Sequence, residues 1–200
     1  MKILVSLSVA GLLLLASCGG KGKDAASMSY SQEDANEVIA YYNITVDLMK
    51  KLVTTDDISK TLAYMKKDGK GFVIAPIVNR SYFQAKDTTA LLNPGNCFPD
   101  AVRDSLKALC LAYVDASNKV YANYEEYCQY IKAEDYKDDK YARGREIAAD
   151  QEEQGNRIQE LRAQIYALVT PYADKAEEAT LKDNPLKDHI MAGKALISSL

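Results

Sequence analysis

Few side chains in this sequence have the types and spacing that enzyme chemistry requires. His189 is the only histidine. A metal or proton-transfer site on a helix needs a partner one turn away, but Leu186 and Ala192 lie three residues to either side. Asp188 is its neighbour, and one histidine beside one carboxylate makes a poor catalytic triad. His189 therefore predicts neither a metal centre nor a catalytic base.

The adjacent carboxylates do not supply a paired acid and base either. Such pairs occur at Glu125-Glu126, Asp138-Asp139 and Glu152-Glu153. Neighbouring residues on a helix point about 100° apart, so the two carboxylates of each pair do not converge. The sequence also lacks a haem-attachment motif, a glycine-rich phosphate loop and a G-x-S-x-G turn. We expect no catalytic residues, no metal site and no cofactor.

The segment YANYEEYCQY, residues 121–130, is the most regular aromatic pattern in the chain. Each step of three residues turns a helix back by about 60°, so Tyr121 and Tyr130 lie about 180° apart and cannot form one flat stacking surface. Tyr124 and Tyr127 fall on the apolar stripe. Tyr121 and Tyr130 flank it, with hydroxyls expected to reach water. Core packing is the favoured interpretation, and Tyr121 and Tyr130 are kept as weak candidates for a binding surface.

One helical stripe is interrupted by polar residues. Between Ile147 and Ile158 the stripe positions hold Gln151 and Gln154, and Gly155 follows. A helix that extends beyond the core, or a break at Gly155, would explain the interruption. A polar ligand pocket at Gln151 and Gln154 is the alternative, so both residues are weak binding candidates.

The hydrophobic periodicity of the sequence predicts helices and no strands. Ser-Gln-Glu-Asp at 31–34 resembles a capping box. Pro171 is expected to kink or end the second long helix, and Asn184-Pro185 to open the last one. The predicted helices cover Ser31–Val53, Thr55–Lys67, Pro99–Ala133, a segment from about Asp139 past Ile165, and a final segment containing Leu186, Ile190, Ile197 and Leu200 on one side.

Residues 68–98 lack helical periodicity but are too apolar for a solvated loop. They contain Phe72, Tyr82 and Leu91, with a turn signal at Asn93-Pro94-Gly95-Asn96. A connection of this length is either functional or packed on the bundle, and we favour a segment draped over the apolar seam. The expected fold is all-α: an elongated antiparallel helical bundle with long helices and one long irregular connection.

The first residues are typical of targeting rather than of a fold. Lys2 precedes an apolar run from Ile3 to Ala16, shorter than the roughly 20 residues that span a bilayer. The run ends in Leu15-Ala16-Ser17-Cys18, which resembles the lipobox of bacterial lipoproteins, where the cysteine receives lipid and becomes the new N-terminus. The alternative is an ordinary secretory signal that leaves Cys18 as a free thiol.

Lipidation at Cys18 would divide the chain into three parts: a signal peptide at 1–17, a flexible tether at 18–30 and a helical domain at 31–200. Truncation of this domain at its C-terminus is an open alternative. The tether segment GGKGKDAASMS is rich in Gly, Lys and Ser. More than one acyl chain is needed for stable membrane anchoring, and bacterial lipidation, for which palmitate is typical, supplies them. Because residue 19 is Gly rather than the Asp that resembles an inner-membrane retention signal, we expect the outer membrane, facing the periplasm.

Three cysteines remain after Cys18. Cys110 and Cys128 on one helix would lie about 27 Å apart, beyond the roughly 7 Å limit for a disulfide. We therefore expect Cys97, Cys110 and Cys128 to be free, and most of them buried. The net charge of −3 comes from 25 basic and 28 acidic residues that are interspersed, so no basic surface predicts nucleic-acid binding.

Two segments resemble a known family. These are YYNITVDLM at 41–49 and YIKAEDYKDDKYARGREI at 130–147, within a similarity that runs from about Asn36 to Ile147. They resemble the YiiG-like family of Gram-negative lipoproteins. The resemblance implies a helical bundle of unknown function, supplies no catalytic residues, and implies a domain longer than this chain.

These features together favour a lipid-anchored, non-enzymatic helical protein of the cell envelope, with the membrane and an unidentified protein or envelope component as partners. The alternative is a small-ligand-binding or enzymatic domain in which residues 68–98 act as a lid. A third hypothesis is assembly with another chain through the exposed apolar side of the last helix.

Overall fold

The computed structural model describes residues 25–67, 74–78 and 89–198. Residues 1–17 and Cys18 lie outside this part, so the signal peptide and its lipidation site stay predictions. A 3-10 turn at Ala25–Ser27 precedes the helices, and no strand occurs among the described residues. The helices are α1 (Gln32–Leu52), α2 (Thr55–Met65), α3 (Asp100–Ala133), α4 (Tyr136–Asp139), α5 (Ala142–Thr180) and α6 (Lys187–Ser198).

The first two helices begin at hydroxyl caps. Ser31 Oγ accepts a hydrogen bond from the Asp34 N–H at 3.1 Å, and Thr54 Oγ1 accepts one from the Asp57 N–H at 2.9 Å. Each cap satisfies one of the backbone donors that a helix start leaves without an intrahelical partner. The predicted start of α1 is confirmed.

Shared apolar clusters give the direction of each helix. Val38 of α1, Leu106 of α3 and Val169 of α5 pack in one cluster, at what we call the N-terminal end. Tyr127 of α3 and Ile147 of α5 pack in another, at what we call the turn end. Thus α1 and α3 run in one direction and α5 runs back along both. At 1.5 Å per residue, the 34 residues of α3 extend over about 51 Å. The predicted elongated antiparallel bundle is confirmed.

The second helix continues the path of α1 along α5. Ile58 belongs to the central cluster with Leu52 and Ile158, whereas Met65 belongs to the turn-end cluster with Ile147. The break at Val53 and Thr54 therefore divides one long path into two helices, each with its own C-terminus inside the bundle. None of the described helices is long and apolar enough to cross a membrane.

The second long helix differs from its prediction in two ways. It starts at Ala142, after the short α4, and it continues through Pro171 to Thr180. Pro171 does not end the helix, because it lies on the exposed side where the carbonyl it leaves unpaired can bind water, while Val169 and Tyr172 remain packed in the core. The last helix starts at Lys187, and Asn184 Oδ1 accepts from the Leu186 N–H at 2.8 Å just before it.

The long connection is described at 74–78 and 89–98. Residues 74–78 have no regular structure, and the turn near Pro94 is confirmed, with Gly95 at φ +79°. Leu91 and Phe98 are buried, in agreement with a segment that packs on the helices. Ile74 and Ile77 are 77% and 90% exposed, so these two residues do not cover the seam. Phe72 and Tyr82 lie outside the described residues.

Candidate functional site

Tyrosines of α3 close the C-terminal end of α1. The Tyr113 hydroxyl donates to the Met49 carbonyl at 2.8 Å, and the Tyr121 hydroxyl donates to the Leu52 carbonyl at 3.0 Å. Both carbonyls belong to the last turn of α1, whose acceptors have no intrahelical donor. A buried carbonyl without a donor would destabilise the fold. The two tyrosines avoid this by supplying donors at the break between α1 and α2.

The next two tyrosines act on α2 and on the long connection. The Tyr127 hydroxyl donates to the carbonyl of Met65, the last residue of α2, at 3.0 Å. The Tyr124 hydroxyl donates to the Pro76 carbonyl and so holds segment 74–78 against α3. Burial, followed by the contact with Cys128, raises the pKa of Tyr124. The prediction that the tyrosines of residues 121–130 pack in the core is confirmed.

The expected exposure of the flanking tyrosines is wrong. Tyr121 and Tyr130 are 5% and 6% exposed, and their hydroxyls bond inside the protein rather than to water. The reason is that Tyr121 faces the end of α1, while Tyr130 faces the turn that leads into α5. Neither ring lies on a surface, so the binding-surface candidacy of Tyr121 and Tyr130 has no support in their placement.

At the turn end, Tyr130 and Asp139 hold the start of α5. The Tyr130 hydroxyl donates to Asp139 Oδ1 at 2.6 Å, and Asp139 Oδ2 accepts from the Arg143 N–H at 2.9 Å. The hydrogen bond from Tyr130, reinforced by backbone N–H groups, lowers the pKa of Asp139. A Cβ on Gly144 would lie 3.0 Å from Tyr130 Cε1, so a glycine allows α3 and α5 to approach here.

The turn itself contains unusual backbone conformations. Glu134, Lys140 and Tyr141 have φ values of 63°, 54° and 65°, which are uncommon for residues with a Cβ. The half-buried rings of Tyr136 and Tyr141 stack with centroids 4.8 Å apart. This stacking and the Asp139 bonds fix the turn without any glycine at its left-handed positions.

The guanidinium of Arg162, on α5, also contacts the C-terminal end of α1. Arg162 Nη2 donates to the Tyr113 hydroxyl at 2.9 Å and lies 3.3 Å from the Val53 carbonyl. Burial raises the pKa of Tyr113, and the Arg162 contact opposes that rise. The positive charge also suits the negative end of the α1 dipole. Arg162 was not among the sequence candidates, because nothing in its neighbours marks it as facing a helix end.

The polar interruption of α5 is a close helix contact. The helix neither breaks at Gly155 nor extends beyond the core there. Gly155 is buried, and a Cβ on it would lie 2.8 Å from Ile58 Cγ2, so α2 packs directly on the α5 backbone. One turn earlier, Gln151 is fully buried and its Nε2 donates to Thr61 Oγ1 at 2.8 Å. Its Oε1 has no partner among the described residues.

Gln154 takes part in a separate polar group. Its Nε2 donates to Asp150 Oδ1 at 3.1 Å, while Asn123 Nδ2 donates to Asp150 Oδ2 at 2.7 Å and Lys119 lies 3.5 Å away. Burial raises the pKa of Asp150, but these hydrogen bonds and the lysine outweigh burial and lower it. Gln151 thus bonds to Thr61 of α2, whereas Gln154 bonds to Asp150 of its own helix, and the structure does not bring the two glutamines together in one pocket.

The three described cysteines are free, as predicted, but only Cys110 is buried. Burial raises the pKa of Cys110 to about 11. Burial and a hydrogen bond to Glu37 Oε2 at 2.8 Å raise the pKa of Cys97 to about 12. Burial also raises the pKa of Cys128. Because the thiolate is the reactive form, none of these cysteines is placed as a nucleophile.

The remaining chemical candidates are separate and exposed. His189 lies on the surface of α6. Glu126 pairs with Arg143, and Glu152 pairs with Lys66 at 2.8 Å, so these carboxylates serve as ion-pair partners. Within the described ranges, no group of three or more His, Cys, Asp or Glu side chains is arranged to hold a metal ion.

The final helix is oriented unusually on the bundle. Lys194 pairs with Asp174 at 2.9 Å and with Glu177, and Lys187 lies 3.8 Å from Glu178, so charged groups join α6 to α5. Large apolar side chains are exposed in this region: Leu186, just before α6, and Ile190 and Leu196 within it are 57%, 39% and 66% exposed. Exposed apolar groups on one side of a helix mark a surface that contacts something else.

Comparison with known proteins places the chain among helical proteins of unknown function. It matches the family described as "Domain of unknown function (DUF6845)" over residues 29–183. None of the curated proteins compared with it matches. The family match spans all of α1 to α5 and ends before α6.

Solved structures have a similar fold. A DUF3829 family protein from Bacteroides vulgatus is 30% identical with a TM-score of 0.68, covering 76% of this chain and 98% of that one. An alpha helical protein from Bacteroides fragilis is 30% identical with a TM-score of 0.69, covering 86% and 65%. A DUF3829-like protein from Bacteroides thetaiotaomicron is 26% identical with a TM-score of 0.63, covering 80% and 58%. The chain thus spans under two thirds of the second and third structures. These matches name the DUF6845 and DUF3829 families rather than the YiiG-like family.

Proposed function

Since the chain belongs to the DUF6845 family, whose description names no reaction or ligand, we propose its function from its own residues. We propose that it is a lipid-anchored, non-catalytic helical protein of the bacterial cell envelope, acting as a binding or structural module. The wider relationship to the YiiG-like lipoproteins is part of this proposal, and it rests on segments 41–49 and 130–147.

The observation that carries the proposal is the tetrapeptide Leu15-Ala16-Ser17-Cys18 at the end of an apolar run. Two small residues before a cysteine are what lipidation and cleavage require, and the run is too short to span a bilayer. Acyl chains on Cys18 contribute about 0.8 kcal/mol of membrane affinity per buried methylene. Gly19 in the position after Cys18 favours the outer membrane, facing the periplasm.

The non-catalytic part of the proposal is supported by how the polar groups are used. Tyr121 bonds to the end of α1, Tyr130 bonds to Asp139, and Asp150 bonds to Asn123 and Gln154. Burial raises the pKa of the Cys97 and Cys110 thiols, which disfavours the reactive thiolate. These interactions stabilise the helices and support a structural use of the polar groups. The partner of such a module is a protein or another envelope component, and its surface charge does not favour nucleic acid.

The test is the processing of Cys18 in a bacterial host. Globomycin, which blocks the lipoprotein signal peptidase, should leave residues 1–17 on the chain, and Cys18→Ala should abolish acylation and flotation with membranes. Cys97→Ala is the matched control, because it removes a half-buried thiol of the folded domain and should leave processing unchanged. A mature chain of unchanged mass and membrane fractionation in both globomycin and Cys18→Ala would overturn the proposal.

A second candidate, the binding of a small polar ligand, is favoured by one observation. Gln151 Oε1 is buried without a hydrogen-bond partner in the described part of the chain, and such groups normally bind water or a ligand. Native mass spectrometry of the purified protein tests it. An added mass that is present in the parent protein and lost in Gln151→Met would support this function.

A further inference from the structure

Large apolar side chains lie on the exposed surface of α6 together with Asp188 and His189, while two lysines face the bundle. Lys187 and Lys194 are seven residues, or about two turns, apart and share the side that meets the carboxylates of α5. Leu186 and Ile190, four residues apart, share an exposed side. A Cβ on Gly193 would meet no atom within 4 Å, so the helix surface is open there as well. An amphipathic helix in this orientation is complete only when its outer side is covered.

The position of α6 indicates what covers it. Its ion pairs reach Asp174, Glu177 and Glu178 near the end of α5. The 3-10 turn at Ala25–Ser27 also packs on α5, where Ala25 shares a cluster with Ala176 and Ala179. The start of the described chain and α6 therefore lie on the same turns of α5, at the N-terminal end of the bundle.

The spacing to Cys18 then limits the distance to the membrane. From Cys18 to Ala25 there are seven residue steps, which extend over about 25 Å at most. If Cys18 is acylated, Ala25 cannot lie farther than this from the lipid surface, and the turns of α5 that carry α6 lie one packing distance beyond Ala25. A tether this short gives the exposed side of α6 a high effective concentration at that surface, so weak contacts suffice.

We infer that the outward side of α6 lies in the headgroup region of the leaflet that anchors Cys18; this inference rests on the proposed lipid anchor. Interfacial helices bury an apolar side about 5–10 Å into this region without spanning the bilayer. A second copy of the chain is less suited to the surface. A stable protein interface uses about 20–30 residues on each side, whereas the described side chains here expose three large apolar groups, Leu186 just before the helix and Ile190 and Leu196 within it. The bilayer would thus have two attachments, an acyl anchor and a helix surface, which orient the bundle.

The chain has no tryptophan, so a single introduced indole reports its own environment. We would purify the mature lipoproteins Ile190→Trp and Leu111→Trp and reconstitute each into phosphatidylethanolamine and phosphatidylglycerol vesicles, with and without bromine on the acyl chains. Leu111 is a matched control: it is 47% exposed against 39% for Ile190, but it lies on α3 rather than on α6. Mass spectrometry establishes acylation of Cys18 in each sample.

Bromine should quench at least about half of the emission of Ile190→Trp, with a blue shift, and little of that of Leu111→Trp. Acylated protein that floats with vesicles but shows no quenching at residue 190 would overturn this inference and leave the anchor intact. Quenching at residue 190 in a chain that carries no acyl group would retain the α6 contact and overturn the anchor. A blue shift without lipid, together with a doubled mass in light scattering, would assign the surface to a second copy and overturn the inference.

Discussion

Two helix contacts in this molecule are built in opposite ways. Where α3 meets α1 and α2, apolar side chains face inward and tyrosine hydroxyls bond to the carbonyls of helix ends. Where α6 meets α5, lysines and carboxylates face inward and leucine and isoleucine face outward. The first contact is complete within the described chain. The contact between α6 and α5 shows that ion pairs can attach a helix to a domain while its large apolar side chains remain exposed.

The largest effect should come from removing a tyrosine of the first contact. Tyr127 is 1% exposed, so Tyr127→Ala should lower the free energy of unfolding by about 3–5 kcal/mol. Tyr127→Phe keeps the ring but leaves the Met65 carbonyl without its donor, at a cost of about 1 kcal/mol. Urea unfolding measures both. A loss for Tyr127→Ala no larger than that for Tyr136→Ala, at the half-buried turn, would contradict this account.

Glycine substitutions should have opposite signs in the two regions. Gly155→Ala places a methyl group 2.8 Å from Ile58 Cγ2, and the overpacking, about 1–3 kcal/mol, should exceed the roughly 1 kcal/mol gained in helix propensity. Gly193→Ala on α6 meets no atom within 4 Å and should stabilise that helix. Thermal unfolding and hydrogen exchange measure the two effects, and Ile58→Ala should reduce the cost of Gly155→Ala. A stabilising Gly155→Ala would refute the close contact between α2 and α5.

A smaller effect is the pH dependence of the turn end. The pKa of Asp139 is lowered in the folded protein, so the stability it contributes is present above the ordinary carboxyl pKa of about 4 and is lost as the pH falls through the lower folded value. Tyr130→Phe should therefore shift the urea midpoint most above pH 4, and the difference from the parent should narrow in acid. Tyr121→Phe, whose hydroxyl bonds to a carbonyl, should give a difference that does not change over this range. If the urea midpoints of Tyr130→Phe and the parent differed by the same amount at every pH, this would count against the hydrogen bond between Tyr130 and Asp139.

The smallest global effect should come from the second contact. Lys194 is partly exposed, and Lys194→Ala should change global stability by at most about 1 kcal/mol. Locally it should loosen α6, because these ion pairs join it to α5, so amides of residues 187–198 should exchange faster while α3 is unchanged. Lys51→Ala, which removes the exposed pair with Asp47, should leave α6 exchange as it was. Equal exchange of α6 in both variants would indicate that other contacts hold it.

Periodicity and capping predicted most of the fold. The stripe of α3 from Leu106 to Tyr127 repeats every three or four residues, and Ser31 is a cap that acts within one turn of the chain. Local signals of this kind are readable because both partners are close in the sequence. Pro171 was expected to kink or end the helix, and the structure excludes the end, because the effect of a proline depends on which side of α5 faces solvent.

The candidate site was less predictable, because its contacts join distant residues. Tyr121 and Leu52 are 69 residues apart, and Gln151 and Thr61 are 90 apart. The run of tyrosines was visible, but the helix ends they contact were not. Gly155 after two glutamines was a readable sign of a close helix approach, although the sequence was interpreted as a helix extending beyond the core or a break at Gly155, with a polar pocket as the alternative.

The tyrosine bonds also decide how the molecule would carry a mechanical load. A pull through Ala25 enters α1 at its first turn, whereas Tyr113 and Tyr121 grip α1 at its opposite end. Force directed along the rod would therefore slide α1 lengthwise past α5 and α3, and many side-chain contacts would resist together instead of opening one after another. A load applied at that corner along the helix axes would thus be opposed by the whole length of the α1 packing.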